Sequence, residues 1–149
     1  MHARKGRSSS YFLRAESALG LLEYVSSLGT IVPGYPQEDL CYLSHGEGYL
    51  AMFREVFSRP GLYLMDEPES ALSFMSSFDL VLALHECGAN GAQVLCATHS
   101  PIIASTPDAT VLEVDGDGIQ PVSWEELELV AHWRKYLNHP QAYLRHLIE

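Results

Sequence analysis

The sequence has few basic residues and almost no lysine. Only two lysines occur among 149 residues, and 9 Lys and Arg residues stand against 19 Asp and Glu residues, giving a formal net charge of -10. Nucleic acid and anionic membrane surfaces attract positive charge. The charge balance therefore argues against direct binding to nucleic acid or to a membrane.

Long apolar runs and paired cysteines are also missing. No run approaches the roughly 20 apolar residues that a membrane-spanning helix needs, and Arg14 and Glu16 interrupt anything that resembles a signal peptide. Three cysteines without C-x-x-C spacing predict neither a disulfide framework nor a zinc site. We therefore expect a cytoplasmic protein with reduced thiols.

The chain does contain enough apolar residues for one folded domain. Hydrophobic residues make up 47% of the sequence and charged residues 19%, as in ordinary globular proteins. A chain of this length buries roughly two-thirds of its unfolded surface. We expect a single domain over residues 1–149.

An apolar run at residues 62–65 ends abruptly in two adjacent acids, Asp66 and Glu67. Because the run is short, does not alternate and has prolines on either side, it predicts a buried strand with both carboxylates at its carboxyl end. Ligands bind at that edge of open α/β sheets, and two carboxylates there can hold hydrated Mg²⁺ and polarise a water. The alternative is an acidic first turn of the following helix, which the helix dipole favours.

A second strand is predicted at residues 92–97, after an apolar helical pattern that spans residues 72–82 and closes near Gly88. Strand, helix and strand then form a right-handed parallel crossover. His99 follows the second strand, so it is predicted to emerge at the same sheet edge as the two acids. A lone histidine at a strand end is more often structural, and the shared edge is what favours a catalytic role.

The N-terminal part carries further patterns. Residues 9–14 are predicted to form a strand and residues 18–28 an amphipathic helix. Ser44 and Glu47 have capping-box spacing ahead of an apolar helical pattern at residues 49–57. Free amides at such a helix start also attract an anion, so a structural and a functional interpretation are compatible there.

The C-terminal part reads as a hairpin and two helices. Residues 111–122 contain a D-G-D-G turn between two apolar runs, a hairpin that we expect to close an edge of the sheet. Ser123 and Glu126 repeat the capping-box spacing before a helix that reaches about Leu137, and Pro140 begins a second helix. A helical C-terminal tail is therefore predicted.

Four stretches, taken in order, resemble the motifs of ABC-type P-loop ATPases. They are LSHGE at 43–47, LMDEP at 64–68, SALS at 70–73 and THSP at 98–101. In addition, FLRAE at 12–16 and YLRHL at 143–147 resemble a bacterial group of small predicted AAA-family ATPases with an ABC-like head. The resemblance covers nearly the whole chain. It implies an α/β fold, a partial P-loop NTPase (ABC-ATPase-like) domain with a mainly parallel sheet flanked by helices.

The resemblance implies nucleotide contacts for two of these motifs. Ser44, Gly46 and Glu47 match the signature motif, which in the family faces the γ-phosphate of nucleotide held by the opposite subunit. His45 replaces one of the two glycines of the commonest signature. Ser70 begins the stretch that matches the D-loop, which in the family crosses the dimer interface. A homodimer, or pairing with a complete ATPase subunit, is the implied assembly.

The other two motifs imply ATP and Mg²⁺ as cofactors and a hydrolytic site. Asp66 matches the Walker B acid that orients Mg²⁺ through water, and Glu67 matches the general base that activates the attacking water. His99 matches the switch histidine that contacts the γ-phosphate.

One element of the family is missing from the sequence. The phosphate loop G-x-x-x-x-G-K-[ST] does not occur, and no Gly-Lys pair exists, since Lys5 precedes Gly6 and Lys135 lies in the predicted C-terminal helix. The chain therefore resembles only the carboxyl-terminal part of the family fold. We expect weak or no ATPase activity from the isolated chain.

Three functions are compatible with these observations. The first is ATP binding and hydrolysis in a bacterial AAA-family or ABC-type ATPase, in a form that needs a phosphate loop from elsewhere. The second is a non-catalytic interaction module that pairs with a complete ATPase and supplies Ser44 and Gly46 in trans. The third is an unrelated α/β binding domain whose acids merely cap a helix.

Overall fold

A computed structural model describes residues 9–14, 50, 53–54 and 60–148. The chain divides into two compact units, Met1–Pro107 and Asp108–Glu149. Its assignment to one ATPase domain over residues 1–149 stays a prediction.

The first unit contains a three-stranded parallel sheet. Its strands are β1 (Ser9–Arg14), β2 (Gly61–Asp66) and β3 (Gln93–Ala97), in the order β1-β2-β3 with both pairs parallel. All three predicted strands are confirmed, as is the predicted parallel pairing of β2 with β3. Since parallel strands end at one edge, the last residues of all three strands lie side by side.

Helix α1 (Phe74–Ala89) connects β2 to β3. It begins two residues later than the apolar pattern suggested, because residues Pro68–Ala71 form a 3-10 helix and the Ser73 hydroxyl then caps α1 by accepting from the amide of Ser76 at 3.1 Å. The helix ends one residue beyond Gly88, close to the predicted stop, and Gly91 follows with φ +84°.

The core of this unit lies between one face of the sheet and α1. Tyr63 of β2 and Leu80 of α1 are completely buried in one cluster, together with Phe53. Leu50 and Phe53 have helical backbone, which agrees with the helix predicted at residues 49–57. The capping box proposed at its start lies outside the described residues.

The broad apolar surface of α1 is only partly buried. One side of the helix is buried, whereas four large apolar side chains are exposed: Phe74, Met75, Phe78 and Leu82. On the sheet, Phe12, Leu64 and Leu95 lie side by side in register, and both Phe12 and Leu95 are exposed. Apolar spacing specifies a helix, but tertiary contacts decide which of its apolar sides is buried.

The second unit begins with an antiparallel hairpin of β4 (Leu112–Asp115) and β5 (Gly118–Pro121). Asp115 fixes the turn, since its carboxylate accepts from the amides of Asp117 at 2.8 Å and Gly118 at 3.1 Å. The strands are as predicted, but the expectation that they close an edge of the parallel sheet is wrong, because they form a two-stranded sheet of their own. Every residue of β5 is exposed, whereas a strand joined to a parallel sheet is normally buried.

Two helices follow, α2 (Glu128–Asn138) and α3 (Pro140–Ile148), so the predicted helical tail is confirmed. A 3-10 helix (Trp124–Glu126) precedes α2, with the amide and hydroxyl of Ser123 donating to the Glu126 carboxylate at 3.3 and 2.7 Å. The hydrogen bond from the Ser123 side chain lowers the pKa of Glu126. Within the described ranges, no helix has both the length and the apolar character needed to cross a membrane.

Candidate functional site

The candidate site lies where β2 and β3 end. Asp66 is the last residue of β2, Glu67 follows it directly, and His99 lies two residues beyond the end of β3. The amide of Glu67 donates to the carbonyl of Ala97 at 2.9 Å, so the first residue after β2 is tied to the last residue of β3. The three predicted site residues therefore share one edge of the sheet.

Glu67 has an uncommon backbone conformation. Its φ of 45° and ψ of 53° place a non-glycine residue in the left-handed region, at a cost on the order of 1–3 kcal/mol. Pro68, which is fully buried, follows immediately. Backbone in this region persists where the surrounding structure holds it, as the Glu67–Ala97 bond does here.

Glu67 and His99 approach each other through their side chains. The distance from His99 Nε2 to Glu67 Oε1 is 3.5 Å, and both groups are exposed, His99 over 84% of its side chain. At this distance the carboxylate attracts the imidazole when the ring is protonated, and both groups remain accessible to a water or a ligand. The arrangement suits proton transfer from a water at the sheet edge.

Asp66 has a different partner, which the sequence did not reveal. Its Oδ2 accepts from Nε of Arg14 at 2.9 Å. Arg14 ends β1 as Asp66 ends β2, and the two residues are in register in the parallel pair. Such a solvent-accessible ion pair contributes at most about 1 kcal/mol, so a cation can take the place of Arg14 at little cost.

Glu69 links the segment after β2 to the segment after β3 through hydrogen bonds. It lies in the 3-10 helix after Glu67, and its Oε1 accepts from the hydroxyl of Thr98 at 2.6 Å and from the amide of His99 at 2.7 Å. Oε2 is buried and has no hydrogen-bond partner among the described residues. The sequence analysis assigned no role to Glu69. The one sequence feature that could have pointed to it is its position two residues after Glu67.

Cys96 lies in β3, close to these carboxylates. Burial raises the pKa of its thiol to about 12, and the charges of Glu69 and Asp66 add to the shift. The thiol is therefore protonated at neutral pH and is not a nucleophile of the site.

Of the other residues predicted to contact nucleotide, the structure describes Ser70. Ser70 is exposed on the 3-10 helix, where its amide donates to the carbonyl of Glu67 at 3.1 Å. Ser44, Gly46 and Glu47 lie outside the described residues, so their place relative to the acids stays a prediction.

The side-chain oxygens at the sheet edge are few for a metal ion held by protein alone. In the described part of the chain, no three or more His, Cys, Asp or Glu side chains are grouped for a metal ion. Protein sites for Mg²⁺ commonly use one or two carboxylates together with waters and substrate phosphates. The exposed oxygens of Asp66 and Glu67 fit a Mg²⁺ that arrives with nucleotide, rather than one held by protein alone.

No protein-family model matches the chain, and no curated protein matches it. The resemblance to ABC-type ATPases therefore rests on the four sequence motifs alone.

Proposed function

We propose that this chain supplies the Mg²⁺- and water-handling part of an ATPase of the ABC or AAA type, within a partial P-loop NTPase fold. One observation carries the proposal: Glu67 and His99 lie 3.5 Å apart at a sheet edge that also bears Asp66. An acid that orients a cation, a group that positions the attacking nucleophile and a donor near the transferred phosphoryl group are among the parts that phosphoryl transfer needs.

Each of the three side chains has a proposed task. Asp66 orients Mg²⁺ through a water once Arg14 releases it, which the weak exposed ion pair permits. Glu67 accepts the proton of the attacking water. His99, whose ring is exposed, donates to the γ-phosphate. When bound, Mg²⁺ neutralises charge on the β- and γ-phosphates.

The phosphate loop has to come from another segment or polypeptide. In P-loop ATPases its amides and lysine cradle the phosphates, and hydrogen bonds to charged groups contribute about 1.5–3 kcal/mol each. Losing several of them weakens nucleotide binding by several powers of ten. A complete ATPase subunit can supply such a loop, whereas the homodimer that the resemblance implies needs the loop from a further segment, because a second copy lacks it as well. The proposed partners are nucleotide and one of these two assemblies, and the proposed location is the cytoplasm.

The isolated chain is predicted not to hydrolyse ATP efficiently, because its sequence contains no Gly-Lys phosphate loop. Phosphate release by purified residues 1–149 in Mg·ATP measures this, with Glu67→Gln as the blank. The same assay on a completed protein, in which the strand, phosphate loop and helix of an ABC-type ATPase are fused ahead of residue 1, is expected to give Mg²⁺-dependent hydrolysis.

Two results would count against this proposal. Turnover by the isolated chain that Glu67→Gln abolishes would show that the missing loop is dispensable. A completed protein that folds and binds ATP, yet hydrolyses it no faster than its phosphate-loop part alone, would show that this chain contributes no catalytic groups.

A second candidate function, a non-catalytic module that pairs with a complete ATPase, has one observation in its favour. Phe74, Met75, Phe78 and Leu82 leave an apolar side of α1 exposed, and exposed apolar patches mark interaction sites. In this case the partner's ATPase rate depends on Ser44 and is indifferent to Glu67→Gln, whereas the first candidate requires Glu67.

A further inference from the structure

We propose that Glu69 is a positioning residue, which fixes the turn at Thr98 and His99 and thereby holds the His99 imidazole against Glu67. The inference rests on the proposed function of this site, since it assigns a purpose to the Glu67–His99 pair. It starts from the two short hydrogen bonds to Glu69 Oε1, 2.6 Å from the hydroxyl of Thr98 and 2.7 Å from the amide of His99.

The two bonds join segments that are remote in the chain. Glu69 follows β2, and its partners follow β3 about 30 positions later. Both bonds have the lengths of charge-assisted hydrogen bonds, which are roughly twice as strong as neutral ones. They therefore fix the spacing between the turn that carries Glu67 and the turn that carries His99.

The bond to Thr98 continues into the backbone beyond the site. Because the Thr98 hydroxyl donates to Glu69, its oxygen is free to accept, and it does so from the amide of Ser100 at 3.0 Å. The hydroxyl of Ser100 in turn accepts from the amide of Ile103 at 3.4 Å, and Ile103 is buried in the core. Hydrogen bonds through Thr98 and Ser100 thus link the Glu69 carboxylate to a buried residue of the core.

Within the described part of the chain, few other contacts hold the His99 ring. The imidazole is exposed over 84% of its side chain, and its recorded ion-pair partner is Glu67 at 3.5 Å. Packing therefore does not set the direction of the ring. The backbone of His99 does, and Glu69 holds the amide of that backbone.

The two carboxylate oxygens of Glu69 have different surroundings. One oxygen carries both hydrogen bonds, and the other is buried without a partner among the described residues. A glutamine could offer the same accepting oxygen, but its NH2 group would then lie at the buried position without an acceptor among the described residues. The carboxylate strengthens both bonds to the turn, at the expense of that unpaired oxygen.

Isotope-labelled NMR of the full chain tests the inference without nucleotide. In the wild type we expect the His99 amide proton to resonate far downfield and to exchange slowly with solvent. In Glu69→Gln it should move upfield and exchange at least about tenfold faster, while the amides of Met65 and Leu80 in the core keep their protection. Glu86→Gln, the same change at an exposed position of α1, is the matched control.

A second variant keeps the test informative if Glu69→Gln does not fold. Thr98→Val removes the donating hydroxyl with little change of shape, and it should shift the His99 amide in the same direction. An unchanged His99 amide in the folded variants would overturn the inference. So would a general loss of protection that includes Met65 and Leu80, because Glu69 would then be a residue of overall stability.

Kinetics of the completed protein give the functional half of the test. Glu69→Gln should lower kcat about tenfold and leave KM for ATP within about twofold, because it misplaces His99 without touching nucleotide. An unchanged kcat together with a shifted His99 amide would overturn the positioning role. Failure of the proposed function itself looks different, since hydrolysis would then be unaffected by Glu67→Gln whatever Glu69 does to the NMR spectrum.

Discussion

Glu67→Gln is expected to lower the kcat of the completed protein by at least about 100-fold, because an amide cannot accept the proton of the attacking water and general base catalysis is worth roughly 10²–10⁴-fold. The left-handed backbone of Glu67 and the hydrogen bond from its amide to Ala97 hold this residue at the end of β2. The measurement is the initial rate of phosphate release at saturating Mg·ATP.

Two controls make this result specific. KM for ATP should change little, since the proposed task of Glu67 concerns the water and not the nucleotide. Glu86→Gln makes the same chemical change at an exposed position on α1 and should leave kcat unchanged. Equal rates for Glu67→Gln and the wild type would remove Glu67 from the proposed mechanism.

Cys96 is expected to react with iodoacetamide at pH 8 about a thousandfold more slowly in the folded chain than after unfolding in urea. The attacking species is the thiolate, and a rise of the thiol pKa from 9.0 to about 12 reduces the thiolate fraction by that factor. Peptide mass spectrometry of timed reactions measures the rate for Cys96 alone. Folded and unfolded rates within tenfold of each other would contradict the predicted environment.

The raised pKa of the Cys96 thiol also makes the stability of the folded chain depend on pH at high pH. The folded chain holds the thiol proton of Cys96 more tightly than the unfolded chain does, so this contribution to stability is present below about pH 9 and is lost as the pH rises toward 12. Replacing a neighbouring charge tests the cause: in Glu69→Gln the folded thiol should react faster than in the wild type, because a carboxylate that disfavours the thiolate is gone.

Local sequence patterns were sufficient for the elements that position the site. The apolar run at residues 62–65, with prolines around it, predicted β2 to within a residue at either end. Two such runs separated by a helical pattern predicted parallel strands, and parallel strands bring their carboxyl ends together. The proximity of His99 to Glu67 follows from that rule and needed no knowledge of side-chain contacts.

The contacts within the site were beyond the same patterns. Arg14 meets Asp66 because β1 and β2 pair in one particular register, and 52 positions separate the two residues. Glu69 reaches Thr98 and His99 only because the chain after Glu67 turns into a 3-10 helix. Register and turn geometry are set by the packed structure, and residue types alone do not specify them.

Exposure was equally hard to predict. The pattern of α1 shows apolar residues on two sides of the helix, and it does not tell which side contacts the sheet. The hairpin at residues 112–121 was predicted as a pair of strands, but its apolar runs did not reveal that the two strands pair only with each other. In both cases the element follows from local spacing, while its partner depends on the tertiary structure.

We propose that Asp66, Glu67 and His99 form a cation and phosphate site. NMR line broadening by Mn²⁺·ATP in the labelled chain tests this claim directly. Mn²⁺ prefers the same oxygen ligands as Mg²⁺, and paramagnetic broadening detects even weak binding. The amides of Asp66, Glu67 and His99 should broaden before those of the exposed acidic turn at residues 115–118, and Asp66→Asn should remove the difference. Equal broadening at the turn and at the sheet edge, unaffected by Asp66→Asn, would contradict the claim.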